Sequence, residues 1–130
     1  MLSTIVAILC MVTPAIAQND LGGLSPEQAL EYMKTHENLV IIDTSPKRSY
    51  DKQHFIGATH IPIASLDDEQ EKELYMKIPE GRPVLLHCRL GQGVLNAYPV
   101  LKRLRPDIPE ISYIAGKPPF TEYNDWKSKN

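Results

Sequence analysis

Short apolar runs recur along the chain at intervals filled with polar, helix-forming sequence. Leu39-Val40-Ile41-Ile42 ends at Asp43, Val84-Leu85-Leu86 leads through His87 to Cys88, and Ile111-Ser112-Tyr113-Ile114 precedes Ala115-Gly116. A weaker segment, Gly57-Ala58-Thr59-His60-Ile61, stops at Pro62. Runs this short and this rich in β-branched residues predict strands covered on both faces, as in a parallel sheet between helices. Between them the signals are helical. Ser25 suits an N-cap, Pro26 the first helical position and Gln28 the far side of a capping box, so a helix starts there, turns Leu30 and Met33 inward and stops near His36. A short helix is expected around Arg48 to Lys52. Ser65 is expected to cap a charged helix running to about Lys77, with Leu66, Leu74 and Tyr75 inward and early acids matching the helix dipole. Val94 to Leu104 predicts a further helix, in which Pro99 is expected to kink the helix or delay its regular part. The segment around Leu21-Gly22-Gly23 has no such pattern and is expected to be a polar lead-in, with Trp126 anchoring the tail. Helices alternating with buried strands imply an α/β layer fold with right-handed crossovers.

Composition narrows this to one domain. The chain has 130 residues, 42% apolar and 23% charged, enough for a single core. A formal charge of -2, with no basic cluster, argues against a nucleic-acid or membrane-surface partner. The first seventeen residues, "MLSTIVAILCMVTPAIA", carry no charged side chain and end in the small-x-small pattern Ala15-Ile16-Ala17. That predicts a signal peptide over 1–17, a mature domain over 18–130, a periplasmic or secreted location, and no stable membrane association after processing. The run falls short of the roughly 20 residues that span a bilayer, and it contains Pro14. Leu9 before Cys10 argues against lipid attachment. Loss of the leader removes Cys10 and leaves Cys88 as the one cysteine, which therefore has no internal disulfide partner.

Cys88 opens "CRLGQG", the turn from a buried strand into a helix. Ligands in parallel sheets bind beyond the carboxyl ends of strands, where loops lead into helix amino termini. Gly91 and Gly93 let the backbone of Arg89, Leu90, Gly91, Gln92 and Gly93 curl around the sulfur and turn N–H groups toward it. Those donors and the positive helix end favour an anion, and with it the nucleophilic thiolate. Arg89 adds a positive charge, unless its side chain points to solvent. The alternative is a structural cysteine beside an ordinary glycine turn.

"LVIID", "SYDKQHFIGATHIP", "VLLHCRLGQG" and "ISYIAG" with a following tryptophan resemble, in order and spacing, the landmarks of the rhodanese domain, over nearly all of the mature chain. Asp43, Tyr50, His54, Gly57, Ala58 and Cys88 fall on matching positions. The resemblance implies a rhodanese-like α/β single domain with a five-stranded parallel sheet flanked by helices. It also implies a thiosulfate sulfurtransferase that needs no cofactor. Cys88 would take a sulfane sulfur from a small-molecule donor as a persulfide and pass it to cyanide or a thiol. The loop 89–93 would bind substrate, Asp43 would support the loop, and the protein would act as a monomer. Three positions differ from the family pattern: Ser45 stands where arginine is usual, Gly93 where Arg, Thr or Ser closes the loop, and Ala115-Gly116 where two glycines are usual.

Two other readings share these residues. A weakly catalytic binding or sulfur-carrier module would account for Ser45 and Gly93. A cysteine-dependent phosphatase, or an arsenate reductase with a similar loop, would use His-Cys-x-x-Gly-x-x-Arg, but the arginine position is Val94, which offers no bidentate clamp for phosphate. His54 and His60 are expected to be structural, and His87 to project away from Cys88 because strand neighbours alternate faces. The scattered histidines His36, His54, His60 and His87 give no metal-ligand spacing, and Asp67 to Glu71 reads as a solvated helix start.

Overall fold

In the computed structural model, which describes residues 17–130, the apolar runs become the middle of one parallel sheet. The predicted leader lies outside the described residues, Ala17 excepted. The elements in chain order are β1 (Asn19–Leu24), α1 (Pro26–Thr35), β2 (Val40–Asp43), α2 (Lys47–Lys52), β3 (Thr59–His60), α3 (Asp68–Met76), β4 (Val84–His87), α4 (Val94–Leu104), β5 (Glu110–Ile114) and α5 (Phe120–Ser128). The strand order is β1-β5-β4-β2-β3, and every pairing is parallel.

Every residue of β2 and β4 is buried, because alternate side chains enter two different cores. Ile41, Leu85 and Ile114 pack with Ala29 and Met33 of α1, Phe120 and Tyr123 of α5, and Phe55. Ile42, Leu86 and Ile111 pack with Tyr75 of α3 and with Ala97 and Leu101 of α4. Each buried isoleucine, leucine, methionine or phenylalanine among them contributes about 1.5–3 kcal/mol by leaving water. The register Asp43 opposite His87 brings the ends of β2 and β4 level. The chain leaves β2 toward β3 on one side and leaves β4 toward β5 on the other. The crevice where strand order reverses therefore opens between these two ends.

The structure departs from the sequence-based expectations in three places. The polar lead-in is an edge strand, β1, held parallel to β5 with an irregularity between Asp20 and Gly22. The cap of α3 is Asp67 rather than Ser65. Asp67 accepts from the Gln70 N–H at 2.8 Å, and Gln70 returns the contact to the Asp67 N–H at 3.0 Å. Ser65 instead ends a 3-10 turn, Ile63–Ser65, with its hydroxyl donating to the Pro62 carbonyl. Helix α4 spans Val94–Leu104 as expected, with Pro99 inside it on the exposed face. The tail is a helix, α5, which buries Phe120 and Tyr123 and sets Trp126 against the same core. Ser25 caps α1 as expected, with both capping-box bonds made.

Candidate active site

Cys88 follows the last residue of β4 and has 7% of its surface exposed, at the floor of a cleft of about 580 Å3. Its Sγ accepts a hydrogen bond from the Gly91 N–H at 3.1 Å. Gly91 makes this possible through its backbone: its φ is +78°, and a Cβ there would lie 2.9 Å from the Gly116 nitrogen in the loop after β5. A side chain would therefore strain the turn and push two loops apart. Gly93 is different. It is the N-cap of α4 with φ -60°, and a Cβ would meet only the Cys88 Cβ at 3.8 Å. Leu90, Gln92 and Gly93 line the cleft with Cys88, and Leu90 is 78% exposed at its rim.

Arg89 lines the cleft as well, but its guanidinium is engaged elsewhere. It donates to the Asp43 carboxylate at 3.1 and 3.3 Å and to the Gln53 carbonyl at 2.6 Å, and lies over the Phe120 ring at 4.7 Å. The reason is Asp43, which is fully buried and needs a charge partner. Asp43 also accepts from the Ser45 N–H at 3.0 Å and the Ser45 hydroxyl at 2.6 Å, closing a tight turn after β2. Burial alone would push the Asp43 carboxyl up. The positive charge that His87 and Arg89 can present, together with the two Ser45 donors, outweighs it and holds the group below the usual carboxylate range. Asp43 thus ties the first residue of the Cys88 loop to the neighbouring strand end.

His87 points away from the sulfur, packed edge-on against Phe55 and Phe120. Burial pushes its pKa down to about 4, against the opposing pull of Asp43, so it is neutral at pH 7 and the charge beside Asp43 there is that of Arg89. Its Nδ1 is 3.1 Å from the Cys88 carbonyl, which places the ring proton on that nitrogen, and Nε2 has no hydrogen-bond partner. His54 bonds the Tyr50 carbonyl at 2.7 Å and His60 the Ser45 carbonyl at 2.7 Å. The Tyr50 ring is stacked on both imidazoles. These histidines brace α2 and the turn after β2 and do not line the cleft.

Several lining residues were not among those the sequence assigned to the site. Thr44, Ser45 and Ser49 put hydroxyls on one wall, and Asn96 of α4 adds an amide. Ile63, Leu66 and Val100 form an apolar wall, and Asp68 and Glu71 of α3 reach the rim. The usable clue was position: all follow the carboxyl ends of strands or belong to helices that flank the switch point. Val94, where a phosphatase would place its arginine, is wholly buried in the core. Among the described residues, no group of three His, Cys, Asp or Glu side chains is arranged to hold a metal ion. A cysteine with an amide on its sulfur, floored in a small cleft, can attack an electrophilic sulfur and hold the product in place.

Comparison with known proteins agrees with this architecture. The Rhodanese-like domain family matches residues 25–116. A rhodanese-related protein from Thermoplasma volcanium superimposes with a TM-score of 0.58 at 15% identity, over 83% of this chain and 92% of that one. A protein from Saccharomyces cerevisiae gives 0.57 at 22% identity, over 89% and 95%. A single-domain sulfurtransferase from the same yeast gives 0.53 at 12%, over 88% and 94%. No curated protein sequence matches the chain.

Proposed function

The chain belongs to the rhodanese-like domain family, and from that premise we propose that it is a sulfurtransferase in which Cys88 carries a sulfane sulfur from thiosulfate, or a similar small donor, to cyanide or a thiol. The observation that carries the reading is the Cys88 Sγ held by the Gly91 N–H at the floor of the cleft between the ends of β2 and β4. In the first step the Cys88 thiolate attacks the outer sulfur of thiosulfate. The donor's S–S bond breaks, a new one forms on Cys88, and the electron pair leaves with sulfite. In the second step cyanide or a thiolate attacks the outer sulfur of the persulfide and Cys88 regains its thiolate. Gly91 stabilises negative charge on the cysteine sulfur in both steps. At the loop a dianionic donor is offered the Gly91 N–H and no free cation, since Gly93 has no side chain and Arg89 is held by Asp43.

The test mixes mature protein with thiosulfate and cyanide and follows thiocyanate, with Cys88→Ala as control, while intact mass follows sulfur on Cys88. Turnover that vanishes in Cys88→Ala, with a gain of one sulfur in the native chain, supports the reading. No turnover and no sulfur gained from any sulfane donor removes it in favour of a binding module. We further propose that residues 1–17 are a cleaved signal peptide and that the mature domain acts outside the cytoplasm, on the strength of the uncharged apolar run before Ala15-Ile16-Ala17. The intact mass of chain recovered from the periplasm or medium, against that of the full sequence, tests the cleavage.

A further inference from the structure

Charge around the cleft is one-sided. Among the described residues Arg89 is the one cationic residue lining it, and that charge is bound to Asp43 and the Gln53 carbonyl. Helix α3 brings Asp68 and Glu71 to the cleft lining. Tyr75 donates its hydroxyl to Glu71 Oε1 at 2.7 Å, a neutral partner that leaves the carboxylate its charge. Neither acid forms an ion pair among the described residues. The same cleft is lined by the apolar side chains of Ile63, Leu66, Leu90 and Val100. The volume of about 580 Å3 is that of a small-molecule site. A substrate here shares one cleft with a nucleophile, hydrocarbon and two carboxylates.

Resting on the sulfurtransferase reading, we infer that the sulfur acceptor is a low-molecular-weight thiol bearing an ammonium group. Its short carbon chain lies along Leu66 and Leu90, its ammonium meets Asp68 and Glu71, and its thiolate attacks the outer sulfur of the Cys88 persulfide. The new bond joins the two sulfurs of the acceptor persulfide. The bond to Cys88 Sγ breaks, and its electron pair restores the Cys88 thiolate beside the Gly91 N–H. Nothing is oxidised or reduced overall, and no further reactant is required. Asp68 and Glu71 select by charge, because a carboxylate-bearing thiol of the same length is repelled at the rim.

The test loads Cys88 with inorganic polysulfide, removes the excess, and mixes the persulfide with cysteamine, mercaptoethanol or mercaptopropionate. Loss of sulfur from Cys88 is followed by mass, and each rate is divided by the rate of the same thiol with a small-molecule persulfide at the same pH, which removes differences in thiolate fraction and intrinsic nucleophilicity. Cysteamine is expected to react about tenfold faster than mercaptopropionate, with mercaptoethanol between them. In Asp68→Asn/Glu71→Gln, whose changes lie on the surface of α3, the three rates converge to within about twofold. Added salt narrows the native preference in the same way. Equal rates in the native protein, a faster carboxylate thiol, or a preference that survives the double substitution overturns the inference while leaving persulfide formation intact. Failure of Cys88 to take sulfur from polysulfide overturns the sulfurtransferase reading and this inference with it.

Discussion

Gly91 is the residue at which backbone geometry and chemistry meet, so its replacement by alanine separates the proposed mechanism from a merely structural loop. Gly91→Ala places a Cβ at φ +78°, which costs an L-residue about 1–2 kcal/mol. The same Cβ would stand 2.9 Å from the Gly116 backbone nitrogen, a neighbour that has no side-chain freedom to yield. The loop must therefore shift, and the Gly91 N–H must leave its 3.1 Å contact with Sγ. Hydrogen bonds to a charged acceptor are worth about 1.5–3 kcal/mol, or roughly ten- to a hundredfold in rate if the sulfur is anionic when it attacks. Urea unfolding is expected to report a stability loss of about 1–3 kcal/mol at unchanged m. Sulfur loading of Cys88 from polysulfide, followed by mass, is expected to slow by about ten- to a hundredfold. Gly93→Ala is the control, since its Cβ meets only the Cys88 Cβ at 3.8 Å in ordinary contact and its φ suits any residue. It is expected to keep stability within about 0.5 kcal/mol and to load sulfur at the native rate. A Gly91→Ala protein that is destabilised yet loads sulfur as fast as the native chain would refute the role given to this amide.

Arg89→Ala leaves the fully buried Asp43 without its cation and is expected to cost roughly 2–4 kcal/mol in denaturant unfolding. The Asp43 carboxyl then rises toward its ordinary range, so the stability it lends above that range shrinks and acid unfolding begins at a higher pH. An unchanged acid midpoint would contradict the pairing. His87, lowered from 6.5 to about 4 by burial, titrates with the opposite ordinary charge. Between those values the unfolded chain holds a proton that the folded one refuses, so stability is full above pH 6.5 and falls by about 3 kcal/mol as pH drops toward 4. His87→Phe, which keeps an aromatic edge against Phe55 and Phe120, should flatten that slope, and an identical pH profile would exclude His87 as its source. Val94→Arg, the change a phosphatase would require, forces an unpaired guanidinium into the core. It is expected to abolish soluble expression rather than create a phosphate clamp, and neither form should hydrolyse an aryl phosphate.

What the sequence made legible follows from which forces act locally. The runs ending at Asp43 and Cys88 became β2 and β4 because a strand covered on both faces must be apolar throughout, and few other structures need such a run. Strand β1 was hidden for the opposite reason. As an edge strand with two polar residues, two glycines and the leucines Leu21 and Leu24 three positions apart, it is held by backbone bonds to β5 and by the Tyr98 hydroxyl on the Gly22 N–H, and it shows no alternating hydrophobic pattern. Helix α5 hid behind Pro118-Pro119 and a polar surface, with its inward stripe of Phe120 and Tyr123 spaced by a single turn. Ser65 and Asp67 are both fair caps by type, and the choice fell to Asp67 because only it has a glutamine three residues on to close the box. The loop around Cys88 was readable as a motif, yet the direction of Arg89 was not. That depended on Asp43, which lies 46 positions away and is brought alongside only by the register of β2 with β4. The same limit applies to the rim. Asp67 to Glu71 read as a solvated helix start, and α3 does begin there, but the packing of α3 beside α4 also turns two of those acids toward the cleft. A site's nucleophile is thus written in consecutive residues, whereas the charge its substrate meets is set by elements the chain brings together only on folding.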